Sequence, residues 1–220
     1  MSIDRAFNGS SFSADDLDLL ELMLQQEGIE RDEQQRIPRR DEQAPIPLSF
    51  AQERLWVLDQ IEPDSYAYTI PVALRLSGRL NTSALQQSLT TIVERHEALR
   101  TMFELQSTAG EDQPVQVIVP PAEVPLPIVD LQALSGAERD SEVTRLASEE
   151  ARRPFDLGRG PLFRATLLQL HPEGTRDEFV LLLSVHHIVF DGWSIMVFIR
   201  ELATLYTALA GDRSGASETL

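Results

Sequence analysis

SVHHIVFDGWS, residues 184–194, follows an unbroken apolar run, FVLLL at 179–183, and the change of character within it decides the architecture on either side. A short apolar run bounded by turn residues reads as a strand buried on both faces. Successive side chains of a strand point to opposite faces. His186 and His187 therefore do not share one metal ion or one substrate atom; one ring faces inward and packs, and the other faces a cleft. An imidazole titrates near neutral pH, so the cleft-facing ring can act as a general base or a hydrogen-bond acceptor. Asp191 lies just past the strand, where its carboxylate can hold an arginine or a backbone amide and so fix the turn that aims the histidine. Gly192 permits a backbone angle or a close approach that other residues forbid. From Ser194 to Leu209 the pattern becomes that of an apolar helix. Chance would place the H-H-x-x-x-D-G string in a chain of this length about once in several thousand sequences.

LFRATLLQL at 162–170 likewise reads as a buried central strand. Upstream, Ser135 and Glu138 form a capping-box pattern ahead of a helix running to about Arg152. Leu99–Leu105 and Val115–Val119 are short strand candidates. TSALQQSLTTIVERH is a helix capped by Asn81, with Leu85, Leu89, Ile92 and Val93 on one apolar face. IPVALRLSG reads as a strand, and SFAQERLWVLDQ as a helix carrying Phe50, Leu55, Trp56 and Leu58. Mixed strands and helices imply an α/β or α+β sandwich with helices on a sheet.

Residues 1–47 differ from the rest. Ser13 caps a short helix with Leu17, Leu20 and Leu24 at helical spacing, and Gly28 stops it. The charged, proline-bearing stretch ERDEQQRIPRRDEQAPIP then reads as a linker. This gives an extension at 1–47, a globular part at 48–211 and a polar tail at 212–220.

The chain carries 35 acidic and 19 basic side chains, a formal charge of −16, and every basic residue is Arg. That surplus argues against nucleic acid and anionic membrane surfaces as partners. There is no Cys, which excludes disulfides, thiolate nucleophiles and cysteine metal sites. The N-terminus lacks the pattern of a signal peptide, and the apolar runs read as too short to span a bilayer, so a cytoplasmic protein is expected. His96-Glu97 begins like a zinc-binding H-E-x-x-H, but Arg100 stands at the second His position, so no metal is expected. The absence of G-x-S-x-G argues against a serine hydrolase.

HHIVFDG, His186 to Gly192, matches the HHxxxDG signature of condensation domains of nonribosomal peptide synthetases, a family similar in fold to chloramphenicol acetyltransferase. SFAQERLWVL, Ser49–Leu58, resembles the first core motif of that family, and RHEALRTMF, Arg95–Phe103, resembles the second, in the same order. The resemblance covers roughly Pro47 to Gly211. Epimerization domains share the HHxxxDG string but differ at the first two motifs. Heterocyclization domains carry aspartates in place of the histidine pair. Carrier-independent acyltransferases of the same superfold usually keep only H-x-x-x-D. Family members continue through a second lobe, whose later motifs, including Y-x-D-x-A-x-W, are absent from this sequence. The resemblance thus implies an N-terminal lobe.

In the family, two carrier domains present thioesters on 4'-phosphopantetheine arms from opposite ends of a tunnel between the lobes, and the acceptor amine attacks the donor thioester. No cofactor is bound directly. The resemblance implies a positioning and base role for His187, a structural role for His186, and a loop-holding role for Asp191 paired with Arg95 or Arg100. It brings the Gly192 N–H near the reacting groups and leaves Trp193 and Ser194 to pack or cap the following helix. The implied partners are upstream and downstream peptidyl carrier domains and the second lobe. Residues 13–30 are a candidate docking segment for an upstream synthetase subunit. One lobe alone is expected to be inactive, with an open groove and a bare apolar patch beside His187. The competing expectation is a non-catalytic fragment that docks a carrier or a subunit.

Overall fold

In the computed structural model, residue 40 and residues 44–108, 111–173 and 176–211 are described. The chain divides into two compact units, Met1–Ala44 and Pro45–Leu220, and the fold below is that of the second. The helix predicted from Ser13, the candidate docking segment 13–30 and the tail 212–220 lie outside the described residues.

Two strands dominate. β6 (Phe163–Glu173) and β7 (Arg176–His186) pair antiparallel at the centre of a four-stranded sheet. β2 (Thr69–Ser77) flanks β7 antiparallel, in register from Thr69 opposite His186 to Ser77 opposite Glu178. β5 (Ile128–Asp130) flanks β6 in parallel, giving the order β2-β7-β6-β5. The central strands are apolar on both sides because both faces are covered. Leu181, Leu183 and Val185 face α2 (Thr82–Arg95) and α4 (Gly192–Ala210), whose Leu85, Leu89, Ile92, Phe198 and Leu202 complete that core. Val180 and Leu182 face the other way, toward Val143, Leu146 and Ala147 of α3 (Gly136–Arg152). The sheet is thus the middle layer of an α+β sandwich.

A second sheet, order β1-β4-β3, joins β1 (Ile46–Pro47) to the hairpin of β3 (Thr101–Thr108) and β4 (Glu111–Ile118). Ile46 and Pro47 pair with Gln116 and Val115, so these two residues of the predicted extension are part of the globular unit. α1 (Phe50–Ile61) follows. Its capping box is complete: Gln52 N–H donates to Ser49 Oγ at 3.3 Å and Ser49 N–H donates to Gln52 Oε1 at 2.9 Å. Asn81 caps α2 as predicted, its Oδ1 accepting from Ala84 N–H at 3.0 Å. Ser135 is the N-cap of α3, but its side chain makes no cap hydrogen bond, so the capping box predicted with Glu138 does not form.

α4 corrects one sequence expectation. It is long and apolar enough, by length and composition, to cross a membrane. Its placement is that of a helix on a sheet. Phe198 and Leu202 are buried in the core, and Glu201 at its middle accepts from His96 Nε2 at 2.8 Å and pairs with Arg95 at 3.5 Å. Gly211 ends the helix in the left-handed conformation, φ 66°, that glycine adopts without strain.

Candidate active site

β7 ends at His186, and the chain turns through 187–190 before α4 begins. Both histidine amides are fixed: His186 N–H donates to Leu162 O at 3.0 Å and His187 N–H to Tyr68 O at 2.8 Å. The rings then part, one on the last residue of β7 and the other on the first residue of the turn. His186 is 3% exposed, whereas His187 is exposed.

The two rings carry opposite tautomers, because their partners differ in kind. His186 Nδ1 accepts from the Ile188 amide at 3.1 Å, so its proton sits on Nε2. His187 Nδ1 lies 2.9 Å from the Phe190 carbonyl, which can only accept, so Nδ1 carries the proton. The lone pair of the neutral His187 ring is therefore on Nε2, available to take a proton. Burial, with the neighbouring His187 as a smaller cause, pushes the His186 pKa down to about 4. The inner ring thus stays neutral through the physiological range and does not compete as a base.

Asp191 acts differently from the expectation of a salt bridge to Arg95 or Arg100. It is the N-cap of α4: its Oδ1 accepts from Ser194 N–H at 2.8 Å and from Ser194 Oγ at 2.6 Å. These hydrogen bonds hold its carboxyl below the usual range. The arginines are engaged elsewhere. Arg95 pairs with Glu201 at 3.5 Å. Arg100 donates to Val119 O at 2.7 Å and pairs with Glu97 at 3.5 Å, bracing the 3-10 turn Glu97–Arg100 against β4. An exposed N-cap carboxylate already has donors from its own helix, so the turn is fixed without a cation. Ser194 does not itself cap the helix but donates to the capping Asp191, and Trp193 does not pack, being 84% exposed. Gly192 opens α4 without a left-handed angle, and a Cβ there would meet nothing within 4 Å. Neither a steric nor a conformational demand of the described residues requires glycine at this position.

Several residues that hold the loop had only weak sequence signals. Gln52 of α1 donates through Nε2 to Ile188 O at 3.3 Å and to Gln116 Oε1 at 3.3 Å, tying the loop to both sheets. Its S-x-x-Q spacing with Ser49 is a capping-box pattern, but nothing local points to Ile188. Tyr68 and Phe155 flank the His186 ring, with centroids at 6.4 and 6.0 Å.

Beside the loop, between the end of α2 and the start of α4, lies an open cleft of about 170 Å³. Ile92, His96, Leu99, Phe190, Trp193 and Val197 are among its walls. His187 is not among them, so this cleft differs from the groove expected at His187 itself. On α4, Trp193 and Met196 are 84% and 64% exposed. Among the described residues, no three His, Asp or Glu side chains are grouped to hold a metal ion.

A family model described as "Condensation domain" matches residues 42–218. One of the linear gramicidin synthase proteins of Brevibacillus parabrevis is 47% identical over 169 residues, 77% of this chain and 2% of that protein. Phosphinothricin tripeptide synthetase PhsC of Streptomyces viridochromogenes is 43% identical over 181 residues, 81% of this chain and 16% of that protein. The crystal structure of the starter condensation domain of rhizomide synthetase superposes with a TM-score of 0.66 at 25% identity, over 80% of this chain and 42% of the other. The X-domain from teicoplanin biosynthesis does so at 0.65 and 32% identity, over 83% and 36%. The chain thus spans a small part of these curated relatives and about two fifths of each solved chain.

Proposed function

Because the chain belongs to the condensation-domain family, we propose that it is the His187-bearing lobe of an amide-forming domain of a nonribosomal peptide synthetase. The substrates are a donor acyl or aminoacyl thioester and an acceptor amino acid, each on the phosphopantetheine arm of a carrier domain. The acceptor nitrogen attacks the thioester carbonyl carbon, a C–N bond forms and the C–S bond breaks. The proton lost by nitrogen passes to His187 Nε2, which returns it to the sulfur of the departing thiolate. A thioester is already activated, so no enzyme nucleophile is needed; what remains is to hold the amine and manage its proton. We assign this chemistry to the cytoplasm.

One observation carries the reading: the exposed His187 donates its Nδ1–H to Phe190 O, which leaves Nε2 as acceptor. His186 is assigned to hold the loop, and Asp191 to cap the helix that follows it. The second lobe would cover exposed apolar side chains near the starts of two helices, Phe50 of α1, which is 92% exposed, and Trp193 and Met196 of α4. Joined to a second lobe from a condensation domain and given two loaded carriers, the chain should form peptide. His187→Ala should lower the rate by about 10²–10⁴-fold, the usual contribution of a positioned proton acceptor. A full rate with His187→Ala would remove the reading.

A further inference from the structure

We propose that Arg164 is a positioning residue for His187, acting through Phe155 and the ring of His186; this rests on the reading of His187 given above. Arg164 lies on β6, away from the loop in sequence, and nothing in its neighbourhood on the chain suggests a link. Its guanidinium gathers the end of α3. Nε donates to Glu150 Oε1 at 2.6 Å, Nη1 to Pro154 O at 3.1 Å, and Nη2 to Arg153 O at 2.7 Å and Glu150 O at 3.5 Å. These bonds engage carbonyls at and just beyond the C-terminus of α3, where the regular helical donors run out. The same plane lies over the ring of Phe155, 3.7 Å from its centroid. A planar, delocalised cation suits both tasks at once, and a lysine ammonium does not.

Phe155 then meets His186 nearly at right angles, 83°, with centroids 6.0 Å apart. Its ring is 5% exposed and packs with Leu162 and Ile188. The His186 ring passes the constraint on. Its Nδ1 holds the amide of Ile188, two residues ahead, and its carbonyl accepts from Val189 N–H at 3.1 Å. His187 is the residue between His186 and Ile188, so the inner ring brackets the backbone that carries the outer one. Through Arg164 the packing of α3 and β6 reaches the orientation of His187 Nε2.

The test reads the ring nitrogens of the 220-residue chain by long-range proton–nitrogen NMR correlation. The wild type should show His186 protonated on Nε2 and His187 on Nδ1. Arg164→Lys keeps a charge near Glu150 but removes the plane over Phe155; both rings should lose their single-tautomer signatures while the far-ultraviolet spectrum stays that of the fold. Phe155→Leu leaves the acceptors of Arg164 in place and should give the same signature. Glu150→Gln, which removes one charge-assisted bond, should shift both rings in the same direction by less, and it serves if Arg164→Lys does not fold. Leu89→Ala destabilises the opposite face of the sheet and should leave both rings unchanged. Wild-type ring signatures in folded Arg164→Lys would overturn the proposal, as would unchanged rings in Glu150→Gln if that variant has to serve. So would equal changes in Leu89→Ala, since the signal would then report stability alone. These readouts do not depend on turnover, so loss of the His187 reading and loss of this proposal are separate results.

Discussion

Adjacent imidazoles at the end of β7 meet opposite surroundings, and the acid response of the lobe follows from the inner one. His186 titrates near 6.5 when unfolded and at about 4 when folded. Between those values the unfolded chain binds a proton that the folded chain does not. Stability therefore falls as pH drops from about 6.5 to about 4 and levels off below. A displacement of this size corresponds to roughly 3 kcal/mol. His186→Asn can still accept from the Ile188 amide but has no proton to gain, so in denaturant melts its stability relative to wild type should improve as pH falls through this window. A pH-independent difference would contradict a neutral buried ring. Asp191 gives a second residue-level expectation. Asn caps helices as well as Asp, whereas Ala does not. Asp191→Ala should lower the melting temperature by roughly 2–4 °C and Asp191→Asn should leave it near wild type. This reverses what a buried Asp191–arginine pair would imply, where Asn would be the damaging change.

At the scale of elements, α4 has two unlike faces, and its core face carries the stability. Phe198 and Leu202 are buried against Leu89, Ile92 and the central strands, whereas Trp193 and Met196 project outward. Phe198→Ala or Leu202→Ala should cost about 2–5 kcal/mol in chemical denaturation. Trp193→Ser and Met196→Ser should change stability by no more than about 0.5 kcal/mol in the isolated chain. Large losses from the outward pair would mean that this face is packed. The sequence made these helices and the central strands legible because apolar period and strand alternation are local signals. Asn81 and the Leu85, Leu89, Ile92, Val93 stripe occupy their expected places for the same reason. Ser135 did not form its box with Glu138, although the motif was correct, because a motif permits a hydrogen bond without compelling the rotamer. The Asp191 pairing failed because Arg95 and Arg100 found nearer acceptors in Glu201, Glu97 and Val119 O. Gln52 and Phe155 could not be placed at the loop from sequence, since their contacts there join segments far apart in the chain.

For the molecule as a whole, the fold presents His187, the proposed proton acceptor, on an exposed surface. His187 is aimed by the Phe190 carbonyl, the Tyr68 carbonyl and the buried ring of His186, all within this unit. The apolar side chains at the starts of α1 and α4 remain uncovered, and the chain spans about two fifths of the solved starter condensation-domain chain. Confinement of two reactants can supply much of a rate enhancement, and a single face does not confine them. The isolated 220 residues should therefore bind no pair of arms productively. The most direct measurement is amide product by mass spectrometry from one donor-loaded and one acceptor-loaded carrier, with the isolated chain, the chain joined to a second lobe, and the joined His187→Ala variant. Product above background is expected from the joined wild type only, with a loss of about 10²-fold or more in the variant. Robust His187-dependent product from the isolated chain, or equal product from the joined chain with and without His187, would contradict a one-lobe, His187-centred site.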